Sequence, residues 1–309
     1  MIKVLFVVGP TASGKTSLSI ELAKRFGGEI ISADSMQIYK GIHIASAAPD
    51  MEEREGIPHH LIEFLSLDDK FSVAEYVKLA RECIKEISSR GKLPIIVGGT
   101  GLYITSLLDN IEFSDAVTDT YLRKNLEDQF DKLGGEEMLR LLAEFDKDSA
   151  LRLHPNNRRR IIRAFEVFEQ TGKTITEQNI LSKQNDSEIE PLVIGINYEN
   201  REILYDRINK RVDIMLENGL LEEAKANYCA NAKSGAFQAI GHKELYGYIE
   251  GNCSLTDATE QLKQQTRRYA KRQLTWFRRD DRINWFYPDC ESDYLSKIFD
   301  LTQKFLKEK

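Results

Sequence analysis

Gly9-Pro10-Thr11-Ala12-Ser13-Gly14-Lys15-Thr16 fits the spacing G-x-x-x-x-G-K-[ST] and directly follows the apolar run Val4-Leu5-Phe6-Val7-Val8. Residues of these types at this spacing bind phosphate. The glycines let successive backbone N–H groups turn inward around phosphate oxygens, Lys15 adds a point charge, and the Thr16 hydroxyl can ligate magnesium. A second chemical group is Asp34, a carboxylate in Asp34-Ser35-Met36-Gln37 at the end of the short apolar run Glu29-Ile30-Ile31-Ser32-Ala33. A third is the glycine-rich turn Gly98-Gly99-Thr100-Gly101 after Leu93-Pro94-Ile95-Ile96-Val97. These residues leave the identity of the phosphate-bearing ligand open.

The elements that must position them follow from pattern. Each apolar run is short and continuous, as in strands buried on both faces of a parallel sheet. In open α/β sheets ligands collect at the carboxyl ends of the strands. Asp34 is therefore expected beside the phosphate loop, with a helix N-cap as its plainer alternative. The helix after the loop, from Ser17 to Phe26, ends at Gly27-Gly28 and aims its positive end at the same anion. Ser72-Val73-Ala74-Glu75 reads as a capping box opening a helix with Tyr76, Val77, Ala80, Ile84 and Ile87 inward. No acid closes the strand before Gly98, whereas many nucleotide hydrolases hold magnesium with an Asp at such a position. The pair His59-His60 would point to opposite sides of an extended segment, which predicts packing and not a shared metal.

From about Ile111 to Gln184 the sequence turns charged and helical: Tyr121 to Leu133, Gly135 to Phe145, and Asn157 to Thr171 ending at Gly172. Pro191-Leu192-Val193-Ile194-Gly195-Ile196 returns to strand pattern. The expected architecture is an α/β core with a parallel sheet, of the phosphate-loop (P-loop) nucleoside-triphosphatase kind, carrying an inserted helical domain. The segments are 1–112 for the core, 113–187 for the insert, and 188–309 for the rest of the core with a basic helical end. A helix with Leu204, Ile208, Val212, Met215 and Leu216 on one face follows the returning strand. Asn209-Lys210-Arg211-Val212-Asp213 lies on it and is not a guanine-binding signature, since its Asp is one place too late.

The 309 residues carry a formal charge of −6, which by itself argues against nucleic acid as partner. Local strips oppose that balance. Arg158-Arg159-Arg160-Ile161-Ile162-Arg163 puts cations in a helix's first turn, where the dipole disfavours them, so an anionic partner is expected. Thr266 to Arg279 interleaves basic residues with Tyr269, Trp276 and Phe277, which suits phosphate contact plus base packing or, equally, a core helix with a solvated basic face. The chain start shows no signal peptide pattern, no apolar run spans a membrane, and the four cysteines form no C-x-x-C pair. A cytoplasmic, reduced monomer is expected, without a membrane partner.

Taken together, the phosphate loop, Ser32-Ala33-Asp34-Ser35-Met36-Gln37-Ile38-Tyr39, Pro58-His59-His60-Leu61-Ile62, Val97-Gly98-Gly99-Thr100-Gly101-Leu102-Tyr103, Ala239-Ile240-Gly241 and Ala270-Lys271-Arg272-Gln273-Leu274-Thr275-Trp276-Phe277-Arg278 closely resemble the bacterial tRNA dimethylallyltransferases. The resemblance runs from the first residues to about Arg279. It implies magnesium-assisted transfer of a dimethylallyl group from its diphosphate to N6 of the adenine adjacent to the anticodon. By position it implies diphosphate binding at Gly9, Pro10, Thr11, Ala12, Ser13, Gly14, Lys15 and Thr16, with Thr16 on the metal. Asp34 as general base, Lys15 and Thr100 are the implied catalytic residues. Contacts to the tRNA anticodon stem-loop are implied at Asp34, Ser35, Met36, Gln37, Thr100, Arg123, Arg158, Arg159, Arg160, Ile161 and Ile162.

Two positions depart from the family pattern. Ala45-Ser46-Ala47-Ala48-Pro49 stands where a Gly-Thr-Ala-Lys-Pro type sequence is usual, which removes a cation at Ala48, and His242 stands where a Tyr is usual. Three other readings share the loop: a prenyltransferase acting on free adenine nucleotides, a small-molecule kinase, and a nucleotide-dependent switch. The insert and the basic strip favour tRNA over the first. Neither of the others accounts for Asp34 together with the second glycine turn.

Overall fold

In the computed structural model the described residues are 1–111, 119–184, 187–229 and 239–308. Val4 to Val8 are fully buried, so the strand that carries them, β1 (Ile2–Val8), must be covered on both edges and both faces. It is the fourth of six parallel strands in the order β3-β2-β4-β1-β5-β6, with β2 (Gly28–Ser32), β3 (His59–His60), β4 (Leu93–Gly98), β5 (Ile189–Ile196) and β6 (Ile283–Phe286). Its two neighbours come from distant parts of the chain. Leu5 pairs with Ile95 on one side and Leu192 on the other, and the β1–β4 ladder ends at Val8 and Gly98. This is the α/β fold with a parallel sheet.

Helix α1 (Lys15–Phe26) is closed by Gly27, whose φ of 68° is the left-handed conformation that glycine adopts without strain. A four-residue helix, α2 (His43–Ser46), precedes α3 (Val73–Ser89), which opens on the expected capping box: Ser72 Oγ accepts from Glu75 N, and Ser72 N donates to the Glu75 carboxylate. The glycine turn after β4 leads into α4 (Gly101–Leu108).

The described residues divide into two compact units, Met1–Ser106 with Glu188–Lys309, and Leu107–Ser187. The boundary expected between residues 112 and 113 lies outside the described residues. The second unit consists of α5 (Thr120–Leu133), α6 (Gly135–Leu142), α7 (Lys147–Arg152), α8 (Arg158–Thr171) and α9 (Ile175–Gln184). Its core joins Leu126, Met138, Leu142, Ile161, Ile162 and Phe165. The helix expected from Gly135 to Phe145 stops at Leu142, because Asp146 starts another. Its carboxylate caps Ser149 N at 3.0 Å and accepts from Thr176 Oγ1 at 2.6 Å.

The first unit continues with α10 (Arg201–Glu217), α11 (Leu220–Cys229), α12 (Lys243–Ile249), α13 (Leu255–Phe277) and α14 (Tyr294–Lys307). Helix α13 carries the basic strip and begins well before it, at a capping box of Ser254 and Asp257. Helices α10 and α13 run antiparallel, since Asp213 meets Lys263 at 2.7 Å while Asn209 meets Arg267. No helix among the described residues is long and apolar enough to cross a membrane.

Candidate active site

The phosphate loop leaves β1 at Gly9, where a Cβ would lie 2.3 Å from the Ile196 carbonyl oxygen, so only glycine lets β1 and β5 end this close. Gly14, at φ 99°, sets the start of α1. Behind the loop the Ser13 hydroxyl is buried without a hydrogen-bond partner. Lys15 folds back so that its ammonium donates to the Pro10 carbonyl at 2.7 Å. Its side chain is half-buried and borders the cavity described below. Its pKa is lowered from 10.5 to about 7, first by desolvation and then by the neighbouring Arg211 guanidinium, with Asp34 opposing both.

Two arginines of α10 buttress the loop. Arg207 Nε donates to the Ala12 carbonyl at 2.9 Å, and Arg211 Nη1 to the Thr11 hydroxyl at 3.2 Å. Burial pushes the Arg211 pKa down, with Asp34 the largest opposing charge. Sequence reasoning treated this segment only as a rejected guanine signature. The usable signal was a cation at helical spacing within the buried stripe of Leu204, Ile208 and Val212.

Asp34 follows β2, but no helix begins there, so it is not an N-cap. Its carboxylate accepts from Met36 N at 2.9 Å and tightens a local turn. Ser35 N donates to the Thr100 hydroxyl at 3.0 Å, and Thr100 N donates to the Ala33 carbonyl at 3.1 Å. Gln37 turns inward, its amide oxygen accepting from Ser32 Oγ at 2.7 Å and its nitrogen donating to the Ala47 carbonyl at 3.1 Å.

The second glycine turn is shaped by α13. A Cβ at Gly99 would lie 2.0 Å from Gln273 Nε2, and one at Gly101 would lie 2.4 Å from the Trp276 ring. The basic strip is therefore split in its duties. Ala270 and Phe277 are core, Trp276 Nε1 donates to the Thr105 hydroxyl at 2.9 Å, and Tyr269, Arg272 and Gln273 face the cavity. Arg268, Lys271, Arg278 and Arg279 remain exposed.

The phosphate loop, the Asp34 turn, α10 and α13 each contribute to the wall of one cavity of about 350 Å³ within the first unit. Thr11, Lys15, Thr16, Arg211 and Gln273 line it with polar groups, and Asp34 shares the wall. Ala45, Val212, Met215, Ile240 and Leu262 supply an apolar part, further from the loop along the antiparallel α10 and α13. Thr100 is not in the wall; it stands behind Ser35. His59 lines the cavity, whereas His60 pairs outward with Glu29 at 2.7 Å, which Arg90 also holds. Ala48 is buried beside the wall, and His242 is buried against Glu223 at 2.8 Å.

In the second unit the residues expected on tRNA differ sharply in availability. Arg123 is paired with Glu127 at 3.2 Å and Glu166 at 3.3 Å, and Arg158 with Asp131 at 2.8 Å over the Phe130 ring. The side chains of Ile161 and Ile162 are 0 % and 1 % exposed in the unit's core, so their expected contact cannot be a side-chain one. Arg159 and Arg160 are exposed.

A family model described as IPP transferase matches residues 37–280. The chain belongs to the IPP transferase family. A tRNA dimethylallyltransferase of Thermoanaerobacter sp. (strain X514) is 48% identical over 298 residues, covering 95% of this chain and 94% of its own. That of Bacillus subtilis (strain 168) is 48% identical over 284 residues, covering 92% and 90%. Among solved structures, the tRNA isopentenylpyrophosphate transferase from Bacillus halodurans is 41% identical with a TM-score of 0.74, covering 99% of this chain and 97% of its own. A eukaryotic dimethylallyltransferase acting on tRNA is 29% identical with a TM-score of 0.80, covering 99% and 80%. This IPP transferase is thus an α/β enzyme of the prenyl-transferring class.

The lowered Lys15 pKa gives the IPP transferase a testable pH dependence. Between about 7 and 10.5 the unfolded chain keeps a proton that the ligand-free folded protein has released. Stability therefore rises with pH across that window and is lost as pH falls towards 7. Inorganic diphosphate restores the charge, so its binding at about pH 8.5 should take up a proton, measured by calorimetry in buffers of different ionisation enthalpy. Lys15→Met should abolish the uptake.

Proposed function

We propose that this protein transfers the dimethylallyl group from dimethylallyl diphosphate to N6 of the adenine adjacent to the anticodon of a tRNA, releasing diphosphate. The observation that carries the reading is that the Lys15–Arg211 cation pair and the Asp34 carboxylate share one cavity with an apolar part. In the reaction the allylic C–O bond breaks and the N–C bond forms. The diphosphate oxygens take the electron pair, and the amine proton passes to Asp34. Backbone N–H groups of the loop, Lys15 and Arg211 offset the growing negative charge. Asp34 accepts the proton of a poorly nucleophilic amine as the bond forms.

Magnesium fits the residues present. The Thr16 side chain lines the cavity beside Lys15, and a hard cation that keeps waters and phosphate oxygens would need little more than that hydroxyl from the protein. When bound, it supplies charge stabilisation to the leaving diphosphate. The Asp34 to Gln37 turn forms the acceptor side of the cavity, and an adenine reaching it must leave the RNA stack. Arg159 and Arg160 provide the exposed cations for tRNA phosphates in the second unit. Arg123 and Arg158 reach RNA only by sharing their present carboxylate partners.

Asp34→Asn should lower turnover about 10²–10⁴-fold, the usual range for losing a general base, with calorimetric affinity for inorganic diphosphate and for tRNA unchanged. Full turnover in that variant would remove Asp34 from the chemistry. Replacing Arg159 and Arg160 by Gln should weaken tRNA binding and flatten its log–log salt slope by roughly 0.7–0.9 for each phosphate that is no longer neutralised. Identical slopes for the two proteins would take this helix start out of the RNA interface.

A further inference from the structure

The strand ladder between β1 and β4 stops at Val8 and Gly98, before either functional loop begins. Beyond that point one side chain joins them. Gln273 Oε1 accepts from Thr11 N in the phosphate loop at 2.8 Å, and Gln273 Nε2 donates to the Gly99 carbonyl at 3.0 Å. An amide offers an acceptor and a donor in one rigid plane, so it serves as an extra rung past the end of the sheet. The next residue, Thr100, holds the peptide groups on both sides of Asp34, through Ala33 O and Ser35 N. The path from phosphate loop to Asp34 thus runs Thr11, Gln273, Gly99, Thr100, with hydrogen bonds and one peptide link throughout.

We propose that Gln273 is a positioning residue that fixes the separation of the phosphate loop and the Asp34 turn, registering the allylic carbon of the donor with the base that serves the acceptor. It rests on the assignment of Asp34 as that base. Gln273 is 5 % exposed, and its amide reaches the turn because residue 99 is glycine, since a Cβ there would lie 2.0 Å from Nε2. Helix α13 is anchored independently by Leu262, Ala270 and Phe277, all buried, so its packing does not require an amide at this position. What the amide adds is the link across the two loops. Reacting groups tolerate little misplacement: a shift of about 1 Å can cost on the order of 100-fold in rate.

The test is a double-mutant cycle on the full-length enzyme with dimethylallyl diphosphate, magnesium and unmodified tRNA. Gln273→Met, of similar length but without donor or acceptor, should lower kcat by about 10- to 100-fold while the KM for the donor moves less than about threefold. On an Asp34→Asn background the same change should cost less than about twofold, because the register it maintains no longer matters. Equal fold losses on both backgrounds would overturn the proposal, as would an unchanged kcat accompanied by a lower Tm. If Gln273→Met does not fold, Gln273→Glu keeps the acceptor for Thr11 N and loses the donor to Gly99. It is expected to show the same pattern, and wild-type kcat in it would be contradictory. Failure of the base assignment is read separately, from Asp34→Asn alone.

Discussion

Two cations drawn partly out of water in one cavity wall, Lys15 and Arg211, are the constraint on which this structure depends. Taking an ion out of water costs several kcal/mol, and like charges nearby add to that cost. The ligand-free protein relieves it by letting Lys15 give up its proton near neutrality and by setting Asp34 across the cavity from Arg211. Neither device removes the field, which is what makes the site receptive to a diphosphate. Much of the first unit can be read as support for that arrangement. The central strand delivers the loop, α10 brings Arg207 to the Ala12 carbonyl and Arg211 to the Thr11 hydroxyl, and α13 holds Thr11 N through Gln273.

The same arrangement explains why the chemistry of donor and acceptor meets here. A leaving diphosphate needs positive charge that is already in place, while the amine needs a base at the far side of the new bond. Parallel strands place both at their carboxyl ends, the loop after β1 and Asp34 after β2, with β4 between them. Gly98 lets the backbone after β2 approach, since a Cβ there would lie 2.2 Å from the Ala33 carbonyl oxygen, and Gly99 makes room for the Gln273 amide. The absence of side chains in that turn is therefore a condition for holding Asp34 where it is.

Local signals in the sequence carried far. The loop, the continuous apolar strands, the capping box at Ser72 and the glycine that ends α1 depend on neighbours a few residues apart, and the structure has them where pattern places them. The helix expected through Phe145 ends earlier on a signal that is itself local, the Asp146 N-cap that accepts from Ser149 N at 3.0 Å. Ile161 and Ile162 sit in a basic run, and their apolar spacing marks them as core of the second unit, which leaves their backbone for the tRNA contact the resemblance implies. Arg211 and Gln273 do their work through residues about 200 and 262 positions away, a meeting that no window of local pattern reveals. The basic strip is ambiguous because it has several roles, with Thr266, Tyr269, Arg272 and Gln273 in the cavity wall, Ala270 and Phe277 in the core, and Arg268, Lys271, Arg278 and Arg279 in solvent.

The central claim is group transfer between two substrates that occupy one cavity, and product analysis tests it most directly. The protein would be incubated with dimethylallyl diphosphate labelled in the allyl group, magnesium and unmodified tRNA, followed by nucleoside mass analysis and diphosphate quantitation. The account predicts labelled N6-dimethylallyladenosine from the position adjacent to the anticodon, with one diphosphate released for each adduct. Label appearing on free AMP while the tRNA stays unmodified, or diphosphate released without any adduct, would contradict it.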